Sequence, residues 1–439
     1  TSVGLGNIWR FPYLAANMAV EIFLLIYILL AVTFGYTMIM AETALGRMTR
    51  KSPVGAFAAF WKGTLACIWR MDQRGNSHFD VPYYSVIGGW VIKYLVGYIT
   101  GHGSELAQDG YFFLFHRQWR FGGNRIPALY PAYTGHHFFA GVRNGVERVS
   151  RMMMPVLVVL SVIIAAYSVT RPGALEGVKY FLVPNPANFS WMTVVTAMGQ
   201  MFYSLSIAMG ILVTFGSYMK KDVSIEGSTE NVEIFDTLIA MMAGLMIIPA
   251  VFSFSGGDPD TLQAGPALMF ITIPKVFESM ELGSLVGVLF FVLVLFAAVT
   301  SSIALTESAV STFEDELGWS RKKAAAVIGI IMVLLGSLSA LGYGPLSGVT
   351  VIGMQFLDFF DFLTNSVMMP IAAIAICLLV TSVIGVEKIE EEVTRNGQPF
   401  RRKKGFQFYD PHPLPGVCCH HSGKFCGKCP RVDLDVKRI

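Results

Sequence analysis

The sequence predicts an all-α polytopic membrane protein. Of its 439 residues, 54% are hydrophobic and only 14% are charged, whereas soluble proteins are usually about 45–50% apolar even when Gly is counted. Several apolar segments approach the roughly 20 residues that a helix needs to cross the hydrocarbon core of a bilayer. A transmembrane barrel would instead show segments of about ten residues with alternating hydrophobicity. We therefore expect helical spans.

Eight apolar segments are long enough, or nearly long enough, to span a bilayer, and a half-length segment precedes them at 1–17. In chain order they lie at about 18–45, 82–100, 152–170, 191–218, 234–255, 284–309, 324–342 and 351–384. The sequence therefore predicts eight spans and a half-span.

The basic residues predict the orientation of these segments. They cluster at Arg47, Arg50 and Lys51, at Arg143, Arg148 and Arg151, at Lys220 and Lys221, at Arg321 to Lys323, and at Lys388 to Lys404. The alternate loops, at about 101–111, 171–190, 256–283 and 343–350, contain only Arg171, Lys179 and Lys275. Because cytoplasmic loops carry an excess of Lys and Arg, the first set is expected on the cytoplasmic side. The net charge of +3 has no bearing on nucleic acid.

Three stretches differ from their surroundings: 61–80, 115–140 and 406–439 are polar and rich in His, Cys and Arg. The predicted orientation requires a return crossing within 110–140, but no clean apolar segment lies there, and Arg at the bilayer centre costs about 2.5–3.5 kcal/mol. Two explanations remain open, a buried irregular segment and a reading-frame error in the source gene.

The end of the chain contains zinc-like ligand types, Cys418 to His421 followed by Cys426 and Cys429, with one CxxC spacing. The alternatives are a zinc site and a disordered or mistranslated tail, and we expect the second. An enzyme is not expected. Ser255 to Asp258 lacks a partner Asp at membrane depth, and the sequence has no HExxH, Walker or GxSxG motif.

The opening run from Gly4 to Tyr13 reads GLGNIWRFPY, a long and specific motif. Further matching segments are 41–47 (AETALGR), Tyr83–Tyr84, 88–90 (GGW), 199–206 (GQMFYSLS), 298–304 (AVTSSIA), 314–317 (EDEL) and 357–362 (LDFFDF). Together they resemble the neurotransmitter:sodium symporter family, in particular bacterial sodium-dependent transporters of leucine, tyrosine or tryptophan. The resemblance covers most of 1–405 outside the atypical stretches.

The resemblance implies an inverted-repeat transporter fold with broken spans 1 and 6. Relative to the family, the N-terminal half-span, span 4 and the C-terminal spans are missing or atypical, and the start at Thr1 inside a motif suggests a missing N-terminus. We expect a transmembrane transporter domain at 1–384, a cytoplasmic basic loop at 385–405 and a disordered tail at 406–439.

The residues themselves agree with two broken helices. Gly4 and Gly6 flank a point where a helix can stop bonding to itself, leaving amides free for an anion and carbonyls free for a cation; Ser204 to Gly210 is the corresponding weak point in 191–218. Irregular backbone at membrane depth is tolerated only where it lines a cavity. The paired interruptions therefore predict the substrate site.

The resemblance also implies two sodium ions. The first would be held by the Ser2 carbonyl, Asn7, Ser204, Asp236 and the substrate carboxylate, and the second by the carbonyls of Val3 and Ala297 with the hydroxyls of Thr300 and Ser301. Oxygen ligands suit a hard cation. Asp236 would supply the negative charge that chloride supplies in animal relatives, so chloride is not expected to be required. The alternative is that Asp236 is a solvated cap at the end of its helix.

Substrate choice depends on Gly4, because relatives that transport monoamines have Asp there. The ligand is expected to bring its own carboxylate, which the first sodium, amides near Leu5 and Gly6, and the Tyr84 hydroxyl would bind. The residues predicted to bind substrate are Ser2, Gly4, Leu5, Gly6, Tyr84, Tyr203, Ser204, Ser206, Met209, Ser301 and Leu305. An aromatic ring, Met and Leu make an adaptable apolar pocket, so a hydrophobic L-amino acid, aromatic or branched, is favoured.

Gates follow from the same resemblance. Arg10 and Asp361 would pair across the outer vestibule above Tyr84 and Tyr203, with Asp358 as an alternative partner for Arg10. Tyr218 and Asp315 would belong to the inner gate. Glu42 is expected to bind the unwound amides of the first span.

The function implied is secondary active transport of an amino acid coupled to sodium by alternating access, in a multi-pass protein of the bacterial inner membrane. Expected partners are the amino acid and the lipid bilayer, without nucleic acid. The alternative is a truncated or frame-damaged relative that does not transport.

Overall fold

The computed structural model describes residues 3–17, 20–60, 64–117, 147–184, 189–258, 261, 266–403 and 406. In this part of the chain the regular structure is helical, apart from one antiparallel bridge between Val351 and Met354. The helices are α1 (Phe11–Asn17), α2 (Val20–Leu30), α3 (Tyr36–Thr49), α4 (Pro53–Phe60), α5 (Thr64–Ile99), α6 (Gly103–Leu106), α7 (Tyr111–Arg117), α8 (Glu147–Val169), α9 (Ala174–Leu182), α10 (Trp191–Ser204), α11 (Ile211–Tyr218), α12 (Ile225–Ser255), α13 (Ile273–Glu278), α14 (Gly283–Leu317), α15 (Arg321–Gly342), α16 (Phe356–Asp361), α17 (Met369–Leu378) and α18 (Val386–Val393).

Among the residues that the structure describes, wide π-helical turns occur in five places. One precedes α1, one joins α2 to α3, one precedes α13, one joins α16 to α17, and one follows α17; they are Gly6–Arg10, Ala31–Gly35, Leu268–Thr272, Phe362–Met368 and Leu379–Ile384. Such turns are often found at functional sites. Two of them, before α1 and after α16, contain or adjoin residues predicted to form the outer gate.

Six described helices are long and apolar enough to cross a membrane. They are Ile22–Thr49, Ser150–Val169, Ile225–Ser255, Gly283–Leu317, Arg321–Gly342 and Phe356–Ile384. Each coincides with a predicted span. The two other predicted spans differ: 82–100 is the second half of α5, whose first half is polar, and 191–218 is divided into α10 and α11 by non-helical residues 205–210.

Two segments that were predicted to be loops, 171–190 and 256–283, contain short helices, so this part of the prediction was wrong. Helix α9 lies within 171–190, and a helical segment from Leu268 to Glu278 lies within 256–283. The physical reason is burial. Ala174 and Phe181 of α9, and Phe270 and Val276 of the second segment, are at most 1% exposed, so each short helix has an apolar side that packs on the bundle.

Much of the atypical sequence lies outside the described residues. Residues 118–146 and 407–439 are not described, so the expected return crossing and the Cys/His-rich tail cannot be compared with the structure. The backbone of 64–80 forms the first half of α5.

Helices α3 and α11 touch through their backbones. A Cβ atom on Gly46 would lie 2.0 Å from the carbonyl oxygen of Val213, and one on Gly216 would lie 2.4 Å from the carbonyl oxygen of Thr43. Small residues at a helix interface permit this approach in membranes. The half-helix α11 is thereby fixed against α3.

Residues 386–403, here called the basic strap, cross the end of the bundle that is predicted to be cytoplasmic. The first contact is a buried node around Arg47. Its Nε donates to Glu392 Oε1 at 2.7 Å, its Nη1 donates to the Val223 carbonyl at 2.7 Å, and its Nη2 donates to the Glu392 carbonyl. Helix α18 is thus joined to α3 and to the connection between α11 and α12.

The second contact of the basic strap is a carboxylate that receives backbone amides. Glu226, which is buried in the first turn of α12, accepts the N–H groups of Arg401 at 2.9 Å and Arg402 at 3.0 Å, and the hydroxyl of Tyr36 at 3.0 Å. Arg402 also donates to Glu233 at 2.9 Å. Charged and polar groups thus tie the strap to α12 and α3.

Candidate functional site

The interruption between α10 and α11 is buried and strained. Ser206, Ala208 and Gly210 have φ angles of 57°, 62° and 76°, and a left-handed conformation costs roughly 1–2 kcal/mol for each residue that carries a Cβ. Such strain persists where the surroundings over-determine it, and it clusters at ligand sites. The interruption is therefore a candidate binding element.

Glu42 helps to hold this interruption open. Its Oε1 accepts the backbone N–H of Ala208 at 2.8 Å, whereas its Oε2 has no hydrogen-bond partner among the described residues. The sequence analysis expected Glu42 to bind amides of the first span, and that prediction was wrong. Because α3 lies against α11 through Gly46 and Gly216, the side chain reaches the second interruption instead.

The start of the first helix is held by two side chains. The Gly4 amide donates to Asn7 Oδ1 at 3.0 Å, and the Leu5 amide donates to the Tyr84 hydroxyl at 2.9 Å. A hydroxyl that accepts one hydrogen bond still has its own proton to donate. While it accepts the Leu5 amide, the Tyr84 hydroxyl can therefore donate its own proton to an acceptor on a ligand.

A buried polar cluster surrounds Asp236 of α12. Asn7 Nδ2 donates to Asp236 Oδ1 at 2.8 Å and to Ser204 Oγ at 2.8 Å, and Ser204 Oγ donates to Asp236 Oδ2 at 2.9 Å. Tyr27 donates to Asp236 Oδ2 at 2.9 Å. Asp236 is fully buried, so the alternative of a solvated cap is wrong.

Tyr27 was missed by the sequence analysis. It lies in an apolar segment, where a Tyr is an ordinary core residue, and only its reach toward Ser204 and Asp236 distinguishes it. The cluster brings together carboxylate, hydroxyl and amide oxygens at one buried place. Oxygen-rich surroundings with one negative charge fit a hard monovalent cation.

A second group of oxygens lies between the residue before the first helix and α14. Ser301 Oγ donates to the Val3 carbonyl at 3.3 Å, and Thr300 Oγ1 donates to the Ala297 carbonyl at 3.1 Å. All four residues are buried. The carbonyls and hydroxyls predicted for the second ion are therefore close together, whereas Ser2 lies outside the described residues.

A small cavity lies beside both groups of oxygens, with Asn7 and Ser204 of the first group and Ser301 of the second in its wall. Its walls consist of Gly4, Gly6, Asn7, Tyr83, Tyr84, Tyr203, Ser204, Ser206, Met209, Ile211, Ser301 and Leu305. Except for Leu5, which is buried but not in the wall, the structure brings together every described residue predicted to bind substrate.

Two wall residues were not expected. Tyr83 and Ile211 line the cavity, although the sequence analysis used Tyr83 only as part of a matching motif. The tandem Tyr83–Tyr84 was the available signal. Two adjacent helix positions point about 100° apart, so both can face one cavity only where it is wide.

Arg10, predicted to belong to the outer gate, lies next to Tyr203 of the cavity wall. Arg10 Nη1 lies 4.0 Å from Asp361 Oδ1, and the guanidinium lies 4.7 Å from the centre of the Tyr203 ring. Asp358, the alternative partner, instead accepts the Tyr343 hydroxyl at 3.5 Å. The structure therefore favours Asp361 as the partner of Arg10.

The contacts of Tyr218 include a buried carboxylate that was not predicted from the sequence. Glu307 is 3% exposed; it accepts the Tyr218 hydroxyl at 2.7 Å and Arg321 Nη1 at 3.0 Å. Asp315 instead accepts the backbone N–H of Ser52. Tyr218 and Asp315 thus bind different partners at one end of the bundle. A Glu inside an apolar span was the available signal.

Comparisons with known proteins agree with this geometry. A sequence model of the sodium:neurotransmitter symporter family matches residues 1–104 and 135–406. YhdH, a sodium-dependent transporter of Bacillus subtilis (strain 168), is 34% identical over 409 residues, which cover 90% of this chain and 87% of YhdH. The sodium-dependent transporter MJ1319 of Methanocaldococcus jannaschii is 28% identical over 411 residues, 90% of this chain and 81% of MJ1319.

A solved structure shows the same similarity. The crystal structure of MhsT in complex with L-phenylalanine matches with a TM-score of 0.83 at 32% sequence identity. The match covers 95% of this chain and 94% of MhsT. The helical arrangement described above is therefore that of a protein whose structure holds a hydrophobic amino acid.

Proposed function

Because the chain belongs to the sodium:neurotransmitter symporter family, we propose that it carries a hydrophobic L-amino acid, aromatic or branched, across the membrane by sodium-coupled alternating access. The family consists of transporters rather than enzymes, and the chain is an integral multi-pass membrane protein. The proposal concerns the substrate, the two sodium sites and the gates.

The observation that carries the proposal is a cavity with a polar and an apolar side. On the polar side, Gly4 has no side chain, and the Tyr84 hydroxyl accepts the Leu5 amide. A ligand carboxylate can approach there because no acidic side chain of the wall opposes it on that side. A ligand with an amine but no carboxylate would leave the proton of the Tyr84 hydroxyl without an acceptor, which would lower its affinity.

The apolar side of the cavity supports a hydrophobic side chain on the substrate. Tyr203, Met209, Ile211 and Leu305 form this part of the wall. Met adapts its shape to different ligands, so both aromatic and branched side chains fit this proposal. The similarity to MhsT, which was crystallised with L-phenylalanine, supports the same choice.

Sodium would be bound on both sides of the substrate. The cluster of Asn7, Ser204 and Asp236 would hold the ion that contacts the substrate carboxylate, while Val3, Ala297, Thr300 and Ser301 would hold the other. The second set ties the start of the first helix to α14 through the Ser301–Val3 hydrogen bond. Sodium binding there would stabilise the closed form of the cavity. Because the substrate is held in that form, binding of the ion and of the substrate would be coupled.

The gates would act in alternation. Arg10 and Asp361 would close the outer side, and Tyr218 with Glu307 and Arg321 would contribute to the inner side. We propose that Asp315 takes part through its hydrogen bond to the Ser52 amide. Movement of one group of helices relative to the other would then expose the cavity to each side in turn.

Uptake of tritiated L-phenylalanine and L-leucine into proteoliposomes tests the proposal. We expect accumulation with an inward sodium gradient and none with potassium in its place. Phenethylamine, which lacks the carboxylate, should not compete, whereas unlabelled L-phenylalanine should. Absence of sodium-dependent uptake by a monodisperse protein would overturn the proposal and favour a non-transporting relative.

A further inference from the structure

Asn365 is a buried polar residue at the outer end of the cavity that no part of the proposed function uses. It lies in the π-helical turn Phe362–Met368 and is 7% exposed. Its Nδ2 donates to Asp361 Oδ1 at 2.7 Å and to the Tyr83 hydroxyl at 3.3 Å. A side-chain amide has two donors, and both are used here.

The contacts of Asn365 complete a closed ring. The Tyr83 hydroxyl lies 3.5 Å from the Tyr203 hydroxyl, the Tyr203 ring faces the Arg10 guanidinium at 4.7 Å, and Arg10 Nη1 lies 4.0 Å from Asp361 Oδ1. The ring joins the first helix, α5, α10 and the segment from α16 to α17. Tyr83 and Tyr203 also line the cavity, so the ring lies directly above the proposed substrate.

The distances within the ring show which contact holds Asp361. The Arg10–Asp361 pair, at 4.0 Å, is at the limit of an ion pair, whereas the Asn365–Asp361 hydrogen bond, at 2.7 Å, has the length of a charge-assisted bond. The orientation of the Asp361 carboxylate is therefore determined more by Asn365 than by Arg10.

Packing alone does not explain an Asn at this position. Its Oδ1 has no hydrogen-bond partner among the described residues, and a buried unpaired acceptor lowers stability. Leu has a similar size and would fill the same space without that loss. The amide thus lowers stability, and what it provides in return is the two hydrogen bonds that its Nδ2 donates to Asp361 and Tyr83.

We propose that Asn365 is a positioning residue of the outer gate. It holds the Asp361 carboxylate toward Arg10 and couples this pair to the tyrosines above the cavity, so that the gate and the roof close together. This inference rests on the proposed transport function. Asn365 contacts the gate and not the substrate, so its loss should release a bound amino acid faster without changing which amino acids bind.

The test compares Asn365→Leu with Ser366→Ala, an exposed neighbour in the same turn. Purified protein is loaded with tritiated L-phenylalanine in sodium, and its release is followed after an excess of unlabelled L-phenylalanine is added. We expect release to be roughly tenfold faster in Asn365→Leu, as for loss of one charge-assisted hydrogen bond, and unchanged in Ser366→Ala. Asn365→Gln, which keeps the donor, should recover part of the slow release.

A second pair of variants separates positioning from packing. In an Asp361→Ala background there is no carboxylate to hold, so Asn365→Leu should change release by less than about twofold. If the tenfold effect persists in that background, or if Asn365→Leu alone releases at the wild-type rate, the inference is overturned. Sodium-dependent uptake by the wild type would still support the proposed function. Asn365→Ala replaces the Leu variant if the latter is not monodisperse. Absence of sodium-dependent binding in the wild type overturns both.

Discussion

Asn7 donates its side-chain amide to the carboxylate of Asp236 at 2.8 Å, and both residues are fully buried. The contact joins the first helix to α12 beside the cavity. An ionised carboxylate in such a place contributes a negative charge, whereas an amide of the same shape would contribute none. The charge of the site therefore depends on the carboxylate of Asp236.

The first prediction concerns chloride. Uptake by the wild type should be the same in sodium chloride and sodium gluconate if, as proposed, the carboxylate of Asp236 takes the place of chloride. Asp236→Asn should lose about tenfold or more of its uptake in gluconate, since a buried cation would lack its counter-charge, and should regain part of it in chloride. A chloride requirement in the wild type would contradict the role given to Asp236.

The second prediction concerns Gly4. A Cβ atom there would lie 2.3 Å from Ser301 Oγ and 2.9 Å from the Tyr84 hydroxyl, so Gly4→Ala should displace two polar side chains of the cavity and reduce uptake to background. Gly199→Ala is the matched control, because a Cβ on Gly199 meets nothing within 4 Å and Ala favours a helix over Gly. Initial uptake rates of the two variants in proteoliposomes provide the comparison. Equal activity would mean that this contact does not limit the site.

The third prediction concerns the second group of oxygens. Ser301→Ala removes the hydroxyl that contacts the Val3 carbonyl, and loss of one ligand oxygen should raise the half-saturating sodium concentration by about tenfold. The dependence of uptake on sodium concentration measures this shift. Ser337→Ala removes an exposed hydroxyl that bonds only to its own helix and should leave the curve unchanged. A shift of equal size in both variants would point to a general effect on the fold.

The fourth prediction concerns the basic strap. The Arg47 side chain is fully buried against Glu392, whose other carboxylate oxygen is paired with Arg395 at 2.7 Å. Arg47→Ala should leave Glu392 Oε1 and two backbone carbonyls without their donor and reduce the free energy of unfolding by about 3 kcal/mol. Replacement of both residues, Arg47→Met with Glu392→Leu, should recover most of this loss, because apolar residues of similar size need no partner.

Thermal unfolding of the detergent-solubilised protein measures these changes. Lys275→Ala is the control, because its ion pair with Asp109 is at the surface, where such pairs contribute little. If the double variant is as unstable as Arg47→Ala, the node is held by more than charge pairing.

The spans and the two interruptions were predictable because apolar length and glycine positions act locally, whereas most of the cavity wall was predicted from the resemblance to the symporter family. Contacts between distant segments were not: Glu42 reaches Ala208 because α3 and α11 touch through glycines, and no spacing within either segment contains that information. Tyr27 and Asn365 look like ordinary residues of apolar segments. The short helices α9 and α13 were missed because each has fewer than ten residues, too few for a clear apolar period.

The backbone contact between α3 and α11 limits how the cavity can open. Since Gly46 and Gly216 leave no room for a side chain between the two helices, we expect α11 and α3 to move together. The basic strap is hydrogen-bonded to α3 through Arg47 and to α12 through Glu226. We therefore expect the backbone at 205–210 to act as the hinge between α10 and α11. Opening toward the cytoplasm would then move α3, α11 and the basic strap together.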